Sequence, residues 1–179
     1  MKVTGTTKDK EIELNPNVLL THAPVDSDVF WIDIEGIDNN IIFIPDNVQN
    51  VSIRNSNIVR VVLGANVRGL HGETSIIKHV VLNENISDVV CEECGIETIT
   101  SPCEYLPNLD TLNVRNNRIK DISFRTNYGM QVLVAGNEGI KFKYLCFMLD
   151  ENLGFPPGFY SPEIRRERLT DYFDMVTDE

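Results

Sequence analysis

The chain has 179 residues, 42% of them hydrophobic, and its 16 basic against 27 acidic side chains give a formal net charge of −11. These values are typical of one globular domain with its own core. Because the negative charge repels a phosphate backbone and an anionic membrane surface, neither nucleic acid nor a membrane is an expected partner.

The N-terminal residues 1–28 are expected to cap the fold. They contain two short apolar stretches, EIEL and NVLL, followed by Pro24. The first lysines have no hydrophobic run behind them, so the pattern of a secretory signal is missing. No apolar run reaches the roughly eighteen residues that a membrane-spanning helix needs. We therefore expect a cytoplasmic or otherwise intracellular protein, with a virus particle as the alternative location.

An internal repeat organises residues 29–142. Its clearest unit, 106–124, has apolar residues at offsets −3, 0, +2, +7 and +10 from Leu112, and Asn117 stands at offset +5. The same template fits segments whose anchor positions lie 19 to 23 residues apart. The anchors are Ile32, Val51, Leu70, Val89, Leu112 and Val132. Such a period predicts about six stacked coils that share one core.

The spacing L-x-x-L-x-L-x-x-N-x-L at 109–119 resembles the leucine-rich-repeat family. The resemblance implies a strand-dominated α/β solenoid, a right-handed coil with a parallel β-sheet on its concave face. A 19-residue coil leaves about five residues for the return, so we expect an extended, mostly irregular or 3-10 convex side without long helices.

Offset +5 is the point where the chain leaves each strand and its backbone groups need buried partners. A polar side chain suits this position because it can satisfy those groups. The column reads Ile37, Ser56, Ser75, Cys94, Asn117 and Asn137. We therefore predict a mostly polar ladder along the coils.

The C-terminal residues 143–179 are expected to form a second cap with a helix, which makes 1–179 a single domain. Ser161 and Pro162 supply an N-cap and a first-turn proline. An apolar stripe at helical spacing follows. It consists of Leu169, Tyr172, Phe173 and Val176. The stripe either covers the last coil, which we favour, or docks a partner.

Two cysteines, Cys91 and Cys94, have the spacing of half a zinc site or of a redox pair. The repeat register favours a structural interpretation, because they fall on the apolar +2 column and the +5 column. No second C-x-x-C completes a metal site. The register places His71 at an exposed strand position and His22 and His79 in connecting segments. We expect free thiols, no metal and no cofactor.

Sequence signals of catalysis, such as phosphate-binding glycine loops and nucleophile elbows, are absent, so we assign no catalytic residue and do not expect an enzyme. The leading hypothesis is a non-catalytic interaction module that binds a protein or peptide on the concave face, where Trp and Arg are frequent anchors. The candidate binding residues are Trp31, Asp33, Glu35, Arg54, His71, Glu73, Glu92, Asn113 and Arg115.

Two other classes of function stay open. The first is an architectural subunit of a large assembly such as a virus particle. The second, which we disfavour, is an enzyme that uses Glu35, Glu73 or Glu92. The sequence names neither the partner nor the oligomeric state.

Overall fold

The computed structural model describes residues 1–26, 28–120, 122, 124–126, 131–134, 136 and 137. The predicted C-terminal cap and helix at 143–179 lie outside the described residues. Within them the chain winds into a strand-dominated solenoid, and the 3-10 helix Pro16–Leu20 is the only helix there. No helix in this part of the chain is long and apolar enough to cross a membrane.

The strands follow one another along the described chain with short connections. In chain order they are β1 (Lys2–Thr6), β2 (Glu11–Glu13), β3 (Trp31–Glu35), β4 (Asp38–Phe43), β5 (Asn50–Arg54), β6 (Asn57–Val62), β7 (Gly69–Glu73), β8 (Ile76–Val81), β9 (Asp88–Val90), β10 (Thr98–Thr100), β11 (Tyr105–Leu106), β12 (Thr111–Asn113), β13 (Arg125–Thr126) and β14 (Gln131–Leu133).

The first sheet stacks one strand from each coil, in the parallel order β14-β12-β9-β7-β5-β3. The aligned Cα positions across these strands are those of residues 32, 51, 70, 89, 112 and 132. These are the six predicted anchors. The 19-to-23-residue repeat and the parallel sheet that it predicts are therefore confirmed.

The second sheet holds β4, β6, β8 and β10, also in parallel. The prediction of an extended return is confirmed here, but the prediction of a mostly irregular or 3-10 convex side is wrong. The segments NIVRVV and IIKHVV are rich in β-branched residues, which favour strands. Because consecutive coils have equal length there, their backbone groups align and form a hydrogen-bonded ladder.

The core lies between the two sheets, and the template positions supply most of it. In the second coil every apolar template position is 0% exposed, namely Val48, Val51, Ile53, Ile58 and Val61. Burial of each such side chain contributes roughly 1.5–3 kcal/mol. A further buried column at offset +12 was not predicted. It contains Ile44, Leu63, Leu82 and Phe124.

The predicted polar ladder at offset +5 is confirmed. Ser56 Oγ accepts a hydrogen bond from the Ile37 N–H, and Ser75 Oγ accepts one from the Ser56 N–H, both at 3.1 Å. Asn117 Oδ1 accepts from the backbone of Cys94 at 3.1 Å and of Ile96 at 2.9 Å. The side chain at offset +5 of one coil thus accepts hydrogen bonds from the backbone N–H groups at the corner of the preceding coil.

The residue before each ladder position has a positive φ, between 50° and 73°. This left-handed residue redirects the chain from the first sheet toward the second. The column reads Gly36, Asn55, Thr74, Glu93, Asn116 and Gly136.

The N-terminal residues cover one edge of the first sheet. Strand β1 pairs with β3 in antiparallel fashion, and β2 pairs with the other side of β1. Val3 of β1 is 1% exposed, whereas Glu11 and Glu13 of β2 are exposed. The outermost strand is therefore short and acidic, which discourages further strand addition.

Candidate functional site

The candidate site is the outward face of the first sheet, the predicted concave face. We call it the Trp31 face and define it as offsets −1, +1 and +3 of β3, β5, β7, β9 and β12. Its main feature is an aromatic pair, Trp31 and His71, whose ring centroids are 5.9 Å apart with an interplanar angle of 16°. The two rings belong to coils on either side of β5, and both residues are half-buried.

Small residues on β5 and β7 make room for this pair. Ser52 lies opposite His71 in the pairing of β5 with β7. A Cβ on Gly69 would come within 2.5 Å of Asn50 Oδ1 and 3.5 Å of His71 Nε2. The glycine thus allows the Asn50 amide and the His71 ring to lie against the backbone of β7.

Charged side chains lie next to the aromatic pair on β3 and β5, the strands nearest the N-terminal hairpin. Arg54 Nη2 lies 3.4 Å from Asp33 Oδ1, and these side chains are 45% and 27% exposed. Asn55 donates a hydrogen bond to Glu35 Oε1 at 3.4 Å. The ion pair contributes little to stability, about 0–1 kcal/mol, because water screens it. Its importance is that it holds opposite charges beside Trp31.

The N-terminal hairpin contributes to the same region. A small cleft of about 80 Å³ lies where β1 and β2 meet the charged ends of β3 and β5. Its lining residues are Lys2, Thr4, Glu11, Asp33, Glu35 and Arg54.

The other predicted binding residues begin at the end of β7 and continue along the solenoid. Glu73 and Glu92 line a shallow depression of about 600 Å³ at the corner after β7 and β9. Asn113 is on β12, and its Oδ1 accepts from the Arg115 N–H at 3.5 Å. Arg115 is half-buried, and its Nε has no hydrogen-bond partner within the described part of the chain. Glu73 lies opposite Arg54 in the pairing of β5 with β7. The structure therefore groups six of the candidates and leaves Glu92, Asn113 and Arg115 apart. The six are Trp31, Asp33, Glu35, Arg54, His71 and Glu73.

Sequence reasoning missed the residues that shape the site. Gly69 and Asn50 were missed because repeat spacing does not report contacts between coils. Lys2, Thr4 and Glu11 were missed because the antiparallel addition of β1 breaks the repeat. The β-branched Val3 between the polar residues Lys2 and Thr4 was the available sequence signal for a strand.

No protein-family model, curated protein or solved structure matches this chain. The repeat spacing alone therefore carries the resemblance to leucine-rich repeats, and the functional argument depends on the contacts of the chain itself.

The histidines outside the Trp31 face make local contacts. His22 Nδ1 lies 2.9 Å from the Ile44 carbonyl, and its ring meets Phe43 edge-on at 5.0 Å. His79 lies in β8, so its predicted place in a connecting segment is wrong, and its Nδ1 is 2.8 Å from Thr98 Oγ1. Among the described residues no group of three or more His, Cys, Asp or Glu side chains is arranged to hold a metal ion.

The outward face of the second sheet differs in character from the Trp31 face. Ile41, Val59 and Ile76 lie on the neighbouring strands β4, β6 and β8 and are 41%, 38% and 53% exposed. Lys78 stands beside them and lies 3.9 Å from Glu97. This face therefore presents aliphatic side chains interspersed with exposed charged residues, namely Asp38, Arg60 and Lys78.

Proposed function

We propose that this chain is a non-catalytic interaction module that binds a protein or peptide segment on the Trp31 face. The stacked pair of Trp31 and His71 carries the proposal. Rigid aromatic side chains that stand half-exposed on a sheet supply large contact area at low entropic cost, and Trp is among the most frequent energetic anchors of protein interfaces.

The charges on the Trp31 face favour a partner segment with positive charge. Five carboxylates stand against two guanidinium groups on the described strands of this face, and one of those, Arg54, already pairs with Asp33. A Lys or Arg of the partner would gain ion pairing with the free carboxylates and a cation–π contact on the exposed face of Trp31.

We also propose that the solenoid is of the leucine-rich-repeat type. The motif at 109–119 and the buried amides of Asn117 and Asn137 support it, since both side chains bind backbone groups at the corner of the coil. The second parallel sheet is a departure from the expected convex side. An intracellular location is also proposed, because the thiols of Cys91, Cys94 and Cys103 are unpaired.

A selection from a phage-displayed library of random peptides tests the proposal. We expect the selected peptides to be enriched in Lys and Arg. Trp31 is the only tryptophan in the chain, so its fluorescence emission reports directly on this site. Titration with a selected peptide should shift that emission if the peptide covers the ring.

Two variants and one control sharpen this experiment. Trp31→Ala should weaken peptide binding about tenfold or more, the usual loss at an interface anchor. Glu35→Lys should weaken it by a similar factor, because the new positive charge repels a basic peptide. Lys78→Glu, on the opposite sheet, should bind as the wild type does. Wild-type affinity in both the Trp31 and the Glu35 variants would refute the proposal.

The outward face of the second sheet favours a second candidate, an architectural subunit held between neighbours in a larger assembly. Exposed aliphatic side chains on adjacent strands mark contact surfaces. Light scattering of the purified chain over a range of concentrations separates the candidates. Association that Ile76→Lys abolishes would support an architectural role. A chain that stays monomeric at every concentration would contradict that role and favour the interaction module.

A further inference from the structure

The side chains of Cys91 and Cys94 meet in the core at the end of β9. Both residues are 0% exposed. A Cβ on Gly72 of the preceding coil would come within 2.9 Å of Cys94 Sγ and 3.1 Å of Cys91 Sγ. Both sulfur atoms therefore occupy the space beside the same glycine.

The repeat explains why buried residues stand at positions 91 and 94, but it does not explain why position 72 is a glycine. Other coils carry Ile34, Ile53 or Val114 at the position of Gly72. Glycine inside a strand weakens it and often marks the close approach of another group. Here the missing side chain leaves the room in which the two sulfur atoms lie together.

The two thiols differ in their chemistry. The pKa of Cys94 is lowered, chiefly by a hydrogen bond from the Cys91 thiol and further by the backbone N–H of Ser75, although burial and Glu93 act in the opposite direction. The pKa of Cys91 is raised well above its ordinary value by the hydrogen bond to Cys94 and by burial. Cys94 thus loses its proton more readily than Cys91, and in the structure its thiol donates to the Glu92 carbonyl at 3.3 Å.

A small oxidant has a short path to this pair. The shallow depression of about 600 Å³ lies at the same corner and is lined by Gly72 and Ser75 together with Glu92 and Glu93. Neither cysteine lines the depression, so access of an oxidant to Cys94 requires local opening of this turn.

We propose that Cys91 and Cys94 form an oxidisable dithiol, which a hydroperoxide such as hydrogen peroxide converts to an intrachain disulfide. The Cys94 thiolate attacks a peroxide oxygen, the O–O bond breaks and hydroxide leaves, which gives a sulfenic acid. The Cys91 sulfur attacks the Cys94 sulfur, the S–O bond breaks, and water leaves. Two thiols and one peroxide give one disulfide and two waters, so the sulfurs lose the two electrons that the peroxide gains.

Peptide mapping of the folded full-length chain tests this proposal. The reduced protein is treated with equimolar hydrogen peroxide, alkylated in denaturant and digested with a protease that cuts after glutamate. Because Glu92 and Glu93 separate the cysteines, the peptides 85–92 and 94–97 come apart unless a disulfide joins them. We expect them joined, and released by dithiothreitol, with the fold unchanged by circular dichroism.

Cys103 is the internal control, because it is less buried but has no thiol beside it among the described residues. Its thiol should be lost about tenfold more slowly than the pair, since reactivity follows thiolate character. In Cys91→Ser, oxidation of Cys94 should stop at the sulfenic acid, which dimedone labels, and wild type should label weakly. Preferential oxidation of Cys103, or separate alkylated peptides in wild type, would overturn the proposal.

Discussion

Individual residues at the corners decide how each coil turns. The polar ladder could be predicted, because a repeat template shows which residue falls at offset +5. The left-handed residue before it could not, since only Gly36, Gly136 and the asparagines carry a recognisable preference for positive φ. Thr74 and Glu93 adopt that conformation without such a preference, because the stacked coils on either side impose it.

Thr74 is the most strained member of this column, since it is β-branched and has a φ of 51°. Thr74→Gly should raise the free energy of unfolding by about 0.5–1 kcal/mol, because relief of roughly 1–2 kcal/mol exceeds the added entropy of the unfolded glycine. Urea denaturation measures this. The matched control is Thr100→Gly, at an exposed strand position. It should lower the free energy of unfolding by about 0.5–1 kcal/mol. If both substitutions lower the free energy of unfolding equally, the left-handed conformation of Thr74 would be contradicted.

At the scale of elements, the strands of the first sheet could be predicted because their inward residues alternate and recur. The second sheet could not, because β6 buries Ile58 and Val61 with two exposed residues between them, which breaks the period of two. Its parallel order depends on equal coil lengths, a property of several coils together. Gly64 shows the same dependence, since a Cβ there would lie 2.4 Å from the Ile44 carbonyl oxygen.

The candidate site was predicted in part for a related reason. Register placed Trp31, Asp33 and Arg54 outward on adjacent strands, and their proximity follows directly from the pairing of β3 with β5. The stack with His71 skips one coil and depends on the small residues Ser52 and Gly69, so spacing alone does not reveal it. Contacts between nearest coils are thus predictable from sequence, whereas contacts across a coil require the structure.

At the scale of the whole molecule, a solenoid has open ends, and each coil is stabilised by its neighbours. The hairpin β1–β2 protects the first coil, since β1 pairs with all five residues of β3 and buries Val3. Its loss would expose an apolar end and a free strand edge, both of which favour association.

Deletion of residues 1–14 should therefore lower the free energy of unfolding by several kcal/mol. Burial of the valine contributes about 1.5–3 kcal/mol, and each lost hydrogen bond contributes about 0.5–1.5 kcal/mol. The urea midpoint measures the loss, and light scattering should show concentration-dependent association of the truncated chain. Lys2→Ala with Glu13→Ala is the control, because it removes two exposed side chains and keeps the backbone pairing. That double variant should stay monomeric and within about 0.5 kcal/mol of wild type. A truncated chain with an unchanged midpoint and no association would mean that the edge of β3 needs no cover.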